Sequence, residues 1–110
     1  MANQVDIKDF QKLDMRVGTV VSVERVKGTK KLYRLEVDLG ELGRKQTVSA
    51  LVGHYSPEEL KGRKVAFLAN LKPATIAGVV SEGMVLAAVA GEKVSLLSVD
   101  KEVPNGTKVS

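Results

Sequence analysis

The chain has 110 residues, 44% hydrophobic and 27% charged, which suits one soluble domain with a real core and excludes a disordered chain. No apolar run approaches the roughly 18 residues that span a bilayer, and Met1–Asp6 carries no basic-then-apolar secretory signal. Cysteine is absent, so disulfides, thiolate catalysis and Cys-ligated zinc are excluded, and a cytoplasmic setting is expected.

The net charge is +4 and unevenly placed. Arg25–Lys45 holds seven basic and three acidic residues, an excess equal to that of the whole chain. From Pro73 onward the balance is slightly negative. A local excess of this kind reads either as a polyanion-binding face or as a solvated mixed-charge surface.

Asp6–Leu13 reads as a short helical turn, with Asp6 as N-cap and Ile7 and Phe10 three apart. Met15–Glu24 alternates with period two and predicts a strand, with Met15, Val17, Thr19, Val21 and Val23 on one face. Gly18 inside it predicts a bulge or sharp coil of the kind that lets a small barrel close. Lys27–Lys30 is a basic turn. Lys31–Leu39 alternates again, with Tyr33, Leu35, Val37 and Leu39 on one face. After the Gly40–Gly43 turn, Arg44–Leu51 gives a third strand, and the two pair as a hairpin that gathers Lys31, Arg34, Arg44 and Lys45. Ser56–Gly62 is a complete helix signature: Ser56 caps, Pro57 opens, Glu59 completes a capping box and Gly62 terminates. Lys64–Ala69 is a fourth strand, Gly83–Val89 a fifth and Val94–Val99 a further short one, with a turn at Val103–Gly106. Between strands four and five, a loop this long is either functional or disordered. Its apolar residues Leu71, Ile76, Val79 and Val80 predict that it is packed.

Three strands, a helix, then two strands is the sequential layout of an OB-fold, a five-stranded Greek-key barrel. The predicted class is therefore all-β, one domain over 1–110, with a core of about 13–90 and extensions at 1–12 and 91–110.

Catalysis is poorly supported, and no enzyme activity or cofactor is expected. His54, the single histidine, stands beside Tyr55 at a strand-to-helix junction and reads as structural or exposed. The acids are scattered and form no ligand-spaced cluster, so no metal is expected. The glycines match no nucleotide fingerprint. Binding is better supported, because strands two and three form the ligand face of an OB-fold and cations there contact phosphates. The aromatic count then decides the nucleic acid. Only Phe10, Tyr33, Tyr55 and Phe67 exist, and Tyr33 and Phe67 fit inward positions. Single-strand binders rely on stacked rings, so a folded RNA read by shape, phosphates and 2′-hydroxyls is the better partner.

Several segments carry a family resemblance that runs nearly end to end. They are Phe10–Gly18 with its Arg16-Val17-Gly18, Lys31-Leu32, Gln46–Ser49, Tyr55–Leu60 with Gly62, Asn70-Leu71-Lys72-Pro73, Ser81-Glu82-Gly83-Met84, and Val94–Leu97 with Val103-Pro104 and Gly106. Together they resemble the stand-alone tRNA-binding domain related to the C-terminal part of methionyl-tRNA synthetase and to its separate beta subunit. The domain is also similar to the CsaA export chaperones and to the tRNA-binding end of the endothelial monocyte-activating polypeptide. The resemblance implies structure-specific binding at the outer corner of tRNA, homodimerisation and service to methionyl-tRNA synthetase. By position it implies an RNA face of Lys31, Lys45, Ser49, Asn70, Lys72, Ser81 and Met84. Structural alternatives stand beside these roles: Ser49 satisfying a strand edge, Asn70 capping a turn, Met84 in the core. Glu82 reads as a structural hydrogen-bonding residue.

The chain departs from the family pattern at three places. Ala77 replaces a frequent basic residue, Ala50 a frequent glycine, and the Lys27–Lys30 turn is more basic than usual. Ile76-Ala77-Gly78 is closer to the chaperone branch, so binding of unfolded preproteins is the rival reading. The dimer interface is expected on Phe10 and on Val94–Val99, which a small barrel has little room to bury.

Overall fold

The computed structural model describes residues 3–110. Met1 and Ala2, which begin the extension expected over 1–12, lie outside the described residues. In chain order the elements are α1 (Ile7–Phe10), β1 (Met15–Arg25), β2 (Tyr33–Asp38), β3 (Arg44–Ser49), α2 (Pro57–Leu60), β4 (Lys64–Leu68), β5 (Ala74–Ile76), β6 (Val79–Ser81), β7 (Met84–Val85), β8 (Ala87–Ala90), β9 (Lys93–Leu96) and β10 (Lys108–Val109).

Five antiparallel strands in the order β3-β2-β1-β4-β7 form a nearly closed barrel, with α2 between β3 and β4 as the sequence predicts. The long strand β1 makes this possible. Its first half pairs with β4 (Met15↔Leu68 to Thr19↔Lys64) and its second half with β2 (Thr19↔Asp38 to Arg25↔Tyr33). The edge of β1 that β2 leaves free at Met15 and Arg16 is taken by β10.

The phase of β1 differs from the simple alternation. Gly18 and Val20 face the core, and a register shift between Val20 and Ser22 lets Val23 face it as well. The bulge therefore lies at Val21, between Val20 and Ser22, rather than at Gly18. A Cβ on Gly18 would come within 2.6 Å of Val37 and 2.7 Å of Leu39, so glycine there allows β2 to approach.

The core collects Leu35, Val37 and Leu39 from β2 and its end, Val65 and Phe67 from β4, Leu60 from α2, and Leu51, Val85 and Leu96. Tyr33 is buried with its hydroxyl donating to the Tyr55 carbonyl at 2.9 Å, and the Tyr55 hydroxyl accepts the Leu96 amide at 3.0 Å. α2 has the expected capping box: Ser56 Oγ accepts the Glu59 amide and the Glu59 carboxylate accepts the Ser56 amide.

Two boundaries differ from the sequence reading. The fifth strand stops at Val85, and the chain turns off into a separate β8–β9 hairpin. Leu86 accounts for the break, since its amide bonds to Ala66 and its carbonyl accepts the Leu97 amide, which leaves the following residues to pair with β9. In Val94–Val99, Leu96 is buried and Val94 packs on the core, while Leu97 is exposed, so only part of that run is a free apolar surface.

The barrel closes between β3 and Ser81–Gly83 largely through side chains. The Glu82 amide donates to the Gln46 carbonyl at 2.8 Å, and the Glu82 carboxylate accepts the Gln46 amide at 2.9 Å, continuing the ladder where no strand is present. Beneath it Thr47 Oγ1 donates to the Gly83 carbonyl at 2.8 Å, and Ser81 Oγ accepts the Val48 amide at 3.2 Å. A Cβ on Gly83 would meet the Leu68 carbonyl and the Phe67 ring at 2.5 Å.

Gly83→Ala is therefore expected to destabilise the fold by about 1–3 kcal/mol, the usual cost of overpacking, read as a lower midpoint in denaturant unfolding. Ser56→Ala is expected to cost about 1 kcal/mol at neutral pH. The backbone and side-chain hydrogen bonds to Ser56 hold Glu59 below its ordinary carboxylate value of 4.5. A carboxyl lowered in the folded state stabilises above its unfolded pKa and loses that stabilisation as pH falls through the folded one. The difference in melting temperature between wild type and Glu59→Gln should accordingly shrink below about pH 4.5.

Candidate nucleic-acid interface

The register of β2 and β3 splits the basic hairpin into separate places. Tyr33↔Ser49, Leu35↔Thr47 and Val37↔Lys45 share the core side, whereas Arg34↔Val48, Glu36↔Gln46 and Asp38↔Arg44 share the outer side. Lys31 precedes Tyr33, so it sits some six residues along the ladder from Lys45, about 20 Å at ~3.3 Å per residue. The single cluster of Lys31, Arg34, Arg44 and Lys45 expected from the sequence does not form, because pairing order rather than sequence distance fixes their spacing.

Nor are the four cations equivalent. Arg34 is bound by Glu24 at 3.5 Å, Gln46 at 3.2 Å and Ser22 at 3.3 Å, and Arg44 by Glu36 at 3.1 Å. Among the described residues, Lys27, Lys30, Lys31, Lys45 and Lys72 make no ion pair.

Lys45, Asn70 and Lys72 are brought together in an open groove of about 580 Å³ with Leu42, Leu71 and Pro73. Two carboxylates also line it, but both are engaged. Glu82 is held by the Gln46 amide, and Asp14 lies 2.6 Å from Arg16 and 3.8 Å from Lys108. Asp14 is balanced by its cations, whereas Glu82 accepts only a neutral amide and keeps its charge, so the two ammonium groups outnumber the unpaired carboxylates of the groove by one, which still suits an anion.

The remaining predicted residues lie elsewhere. Ser49 is half-buried and Lys31 exposed at the far end of the hairpin. Ser81 is buried with its hydroxyl inside the barrel seam, so its role in such a face is to hold β6 against β3. Asn70 lines the groove, yet its amide spans the N-terminal segment, donating to the Lys12 carbonyl and accepting the Asp14 amide at 2.9 Å. Met84 is 48% exposed and outside the core. It pairs with Leu68, which pairs with Met15, which pairs with Val109, giving an outward apolar row across four strands.

The long loop is not packed as expected: Leu71, Ile76 and Val80 are exposed, and the segment is held instead as the β5–β6 hairpin, with a two-residue turn at Ala77-Gly78. Both turn residues have positive φ, 50° and 81°, the backbone of a tight hairpin turn. Sequence reasoning missed the role of Gln46, whose side chain donates to the Val80 carbonyl at 2.7 Å and ties this hairpin to β3. The polar residue between Lys45 and Thr47 was the only local signal.

The comparisons place this geometry in a family. The model described as "Putative tRNA binding domain" matches residues 15–108. The chain belongs to that tRNA-binding domain family. It is 51% identical over 107 residues to the methionine–tRNA ligase of Methanocaldococcus jannaschii, covering 96% of this chain and 16% of the ligase. It is 45% identical over 108 residues to that of Thermotoga maritima, covering 98% and 17%. The chain thus spans about one sixth of the length of these curated relatives. Among solved structures, a MetRS-related protein from Pyrococcus horikoshii superposes with a TM-score of 0.91 at 40% identity, over 99% of this chain and 100% of that one. The chaperone CsaA from Bacillus anthracis str. Ames superposes at 0.89 and 39%, over 98% and 100%. Both branches anticipated from the sequence are therefore relatives of this tRNA-binding domain.

Asn70→Ala should release the segment before β1 by leaving the Asp14 amide and Lys12 carbonyl without their partner, at a cost of about 1 kcal/mol. Faster limited proteolysis between residues 3 and 13, with the barrel intact, is the expected result.

Proposed function

We propose that this chain is a non-catalytic binding protein for folded tRNA, gripping the outer corner of the molecule with the Lys45–Lys72 groove and Lys31 beyond it. The observation that carries the reading is the groove itself: it is lined by two lysines without ion pairs, against Glu82 as the one carboxylate that has no cationic partner. Lysines act on phosphate as point charges, which suits recognition of shape over sequence. Similarity to methionine–tRNA ligases and to a MetRS-related protein supports delivery of tRNA to methionyl-tRNA synthetase in the cytoplasm as its service, in the manner of a beta subunit.

A homodimer is part of the proposal. Ile7, Phe10 and Leu13 are exposed beside a cavity of about 490 Å³ in the N-terminal segment, and the outward row of Val109, Met15, Leu68 and Met84 is apolar. Two tRNA sites in one particle would act together through effective concentration. A specific observation favours a second reading as well. The exposed apolar residues Leu71, Ile76 and Val80, with the likeness to CsaA, suit an unfolded preprotein.

Salt separates the two. Binding to bulk tRNA should fall steeply between 50 and 200 mM salt, and Lys45→Ala with Lys72→Ala should weaken it and reduce the log–log salt slope by about 1 per lysine. Salt-insensitive binding that an unfolded peptide displaces would transfer the protein to the chaperone reading. Unchanged affinity in the double variant would mean that the groove is the wrong face.

A further inference from the structure

We propose that a second cleft, between the basic turn after β1 and the β5–β6 hairpin, takes one extruded nucleotide of the bound RNA, with the guanidinium of Arg34 as the plane on which its base stacks. This rests on the tRNA reading and deepens it. The cleft measures about 490 Å³ and is lined by Glu24, Val26, Lys27, Arg34, Ala77 and Val79. Val26, Ala77 and Val79 are apolar, whereas unpaired Lys27 stands at the rim.

Arg34 is unlike the lysines around it. Its side chain is 19% exposed and tied by Nε to Glu24, by Nη1 to Gln46 and by Nη2 to Ser22, with Glu36 4.0 Å from Nη1. Guanidinium N–H groups donate in the plane of the group. With its edges spent on four partners, Arg34 has little left to fork a phosphate, and what it offers the cleft is its face. A guanidinium plane is a stacking surface for an unstacked RNA base, as an aromatic ring is. That matters here because no aromatic side chain lines the cleft: Tyr33 and Phe67 are buried, and Tyr55 is engaged below Arg63, 5.1 Å from its ring centroid. Lys27 is then placed for the nucleotide's phosphate, and the methyl groups of Ala77 and Val79 for the second face of the base.

The same network sets where the second wall stands. Gln46 accepts from Arg34 and donates to the Val80 carbonyl, so one residue fixes both the stacking plane and the hairpin opposite it.

The test uses the whole chain with bulk tRNA at several salt concentrations, and heteronuclear NMR of the Arg34 Nε–Hε group. Arg34→Lys keeps the charge but loses the plane. It should weaken tRNA binding about tenfold, within the range of one stacked base, with an unchanged salt slope. Val79→Asn, which leaves the network intact, should weaken it severalfold with the same slope. The Arg34 Hε resonance should move upfield by the ring current of the base when tRNA is added, and in the same direction with millimolar AMP. Wild-type affinity in both variants, or an Arg34 resonance that stays put or moves downfield, overturns the proposal. If Arg34→Lys unfolds, Val79→Asn and the resonance decide. If wild type fails to bind tRNA, the tRNA reading falls, and the AMP titration still accepts or rejects the cleft by itself.

Discussion

The barrel seam at Gln46 and Glu82 is the constraint on which the rest of this structure depends. Four of the five strand neighbours are held by ordinary ladders, but β3 meets the end of the chain's long loop through a carboxylate, a carboxamide and two hydroxyls. Without it, β3 would be an open edge and the core under Thr47 would be wet. With it, Gln46 becomes the point where core, hairpin and surface meet. One groove opens on the Glu82 side with Lys45 and Lys72, and another on the Arg34 side with Lys27. A buried polar network of this kind stabilises only when all its members are satisfied, and among the described residues no buried side-chain polar atom lacks a partner.

Charge is distributed by the same logic. The excess around β2 and β3 looks uniform when counted along the chain, yet its arginines and its lysines behave differently. Arg34 and Arg44 are tied to Glu24 and Glu36 on the outer face, while Lys31 and Lys45 remain unpaired. The result is two cationic points with a neutral centre, a spacing that a folded RNA can bridge and a lone anion cannot. The apolar row of Met15, Leu68 and Met84 faces outward across β1, β4 and β7, leaving a surface suited to a second protein chain.

Much of this was legible in the sequence. The alternation of Tyr33, Leu35, Val37 and Leu39, the Ser56-Pro57-Glu58-Glu59 cap and the order of strands around it are local properties, fixed by side-chain periodicity and backbone hydrogen bonding within a few residues. They predicted the strands, the helix and the barrel class. The structural role of Glu82 was also readable, because a carboxylate beside a would-be phosphate site has little else to do.

What only the tertiary structure decided was non-local. Pairing register put Lys31 and Lys45 at opposite ends of a hairpin that the sequence alone would have them share. Long-range hydrogen bonds claimed Ser81 for the seam and Asn70 for the N-terminal segment. Leu86 turned the fifth strand away, so that Leu96 returned to the core rather than to an interface. Each depends on a partner more than ten residues distant. The sequence by itself determined which segments form strands and helix, since those preferences act between near neighbours. Which of their side chains remain free to meet a ligand was decided only when the barrel closed, since that depends on the groups brought alongside them.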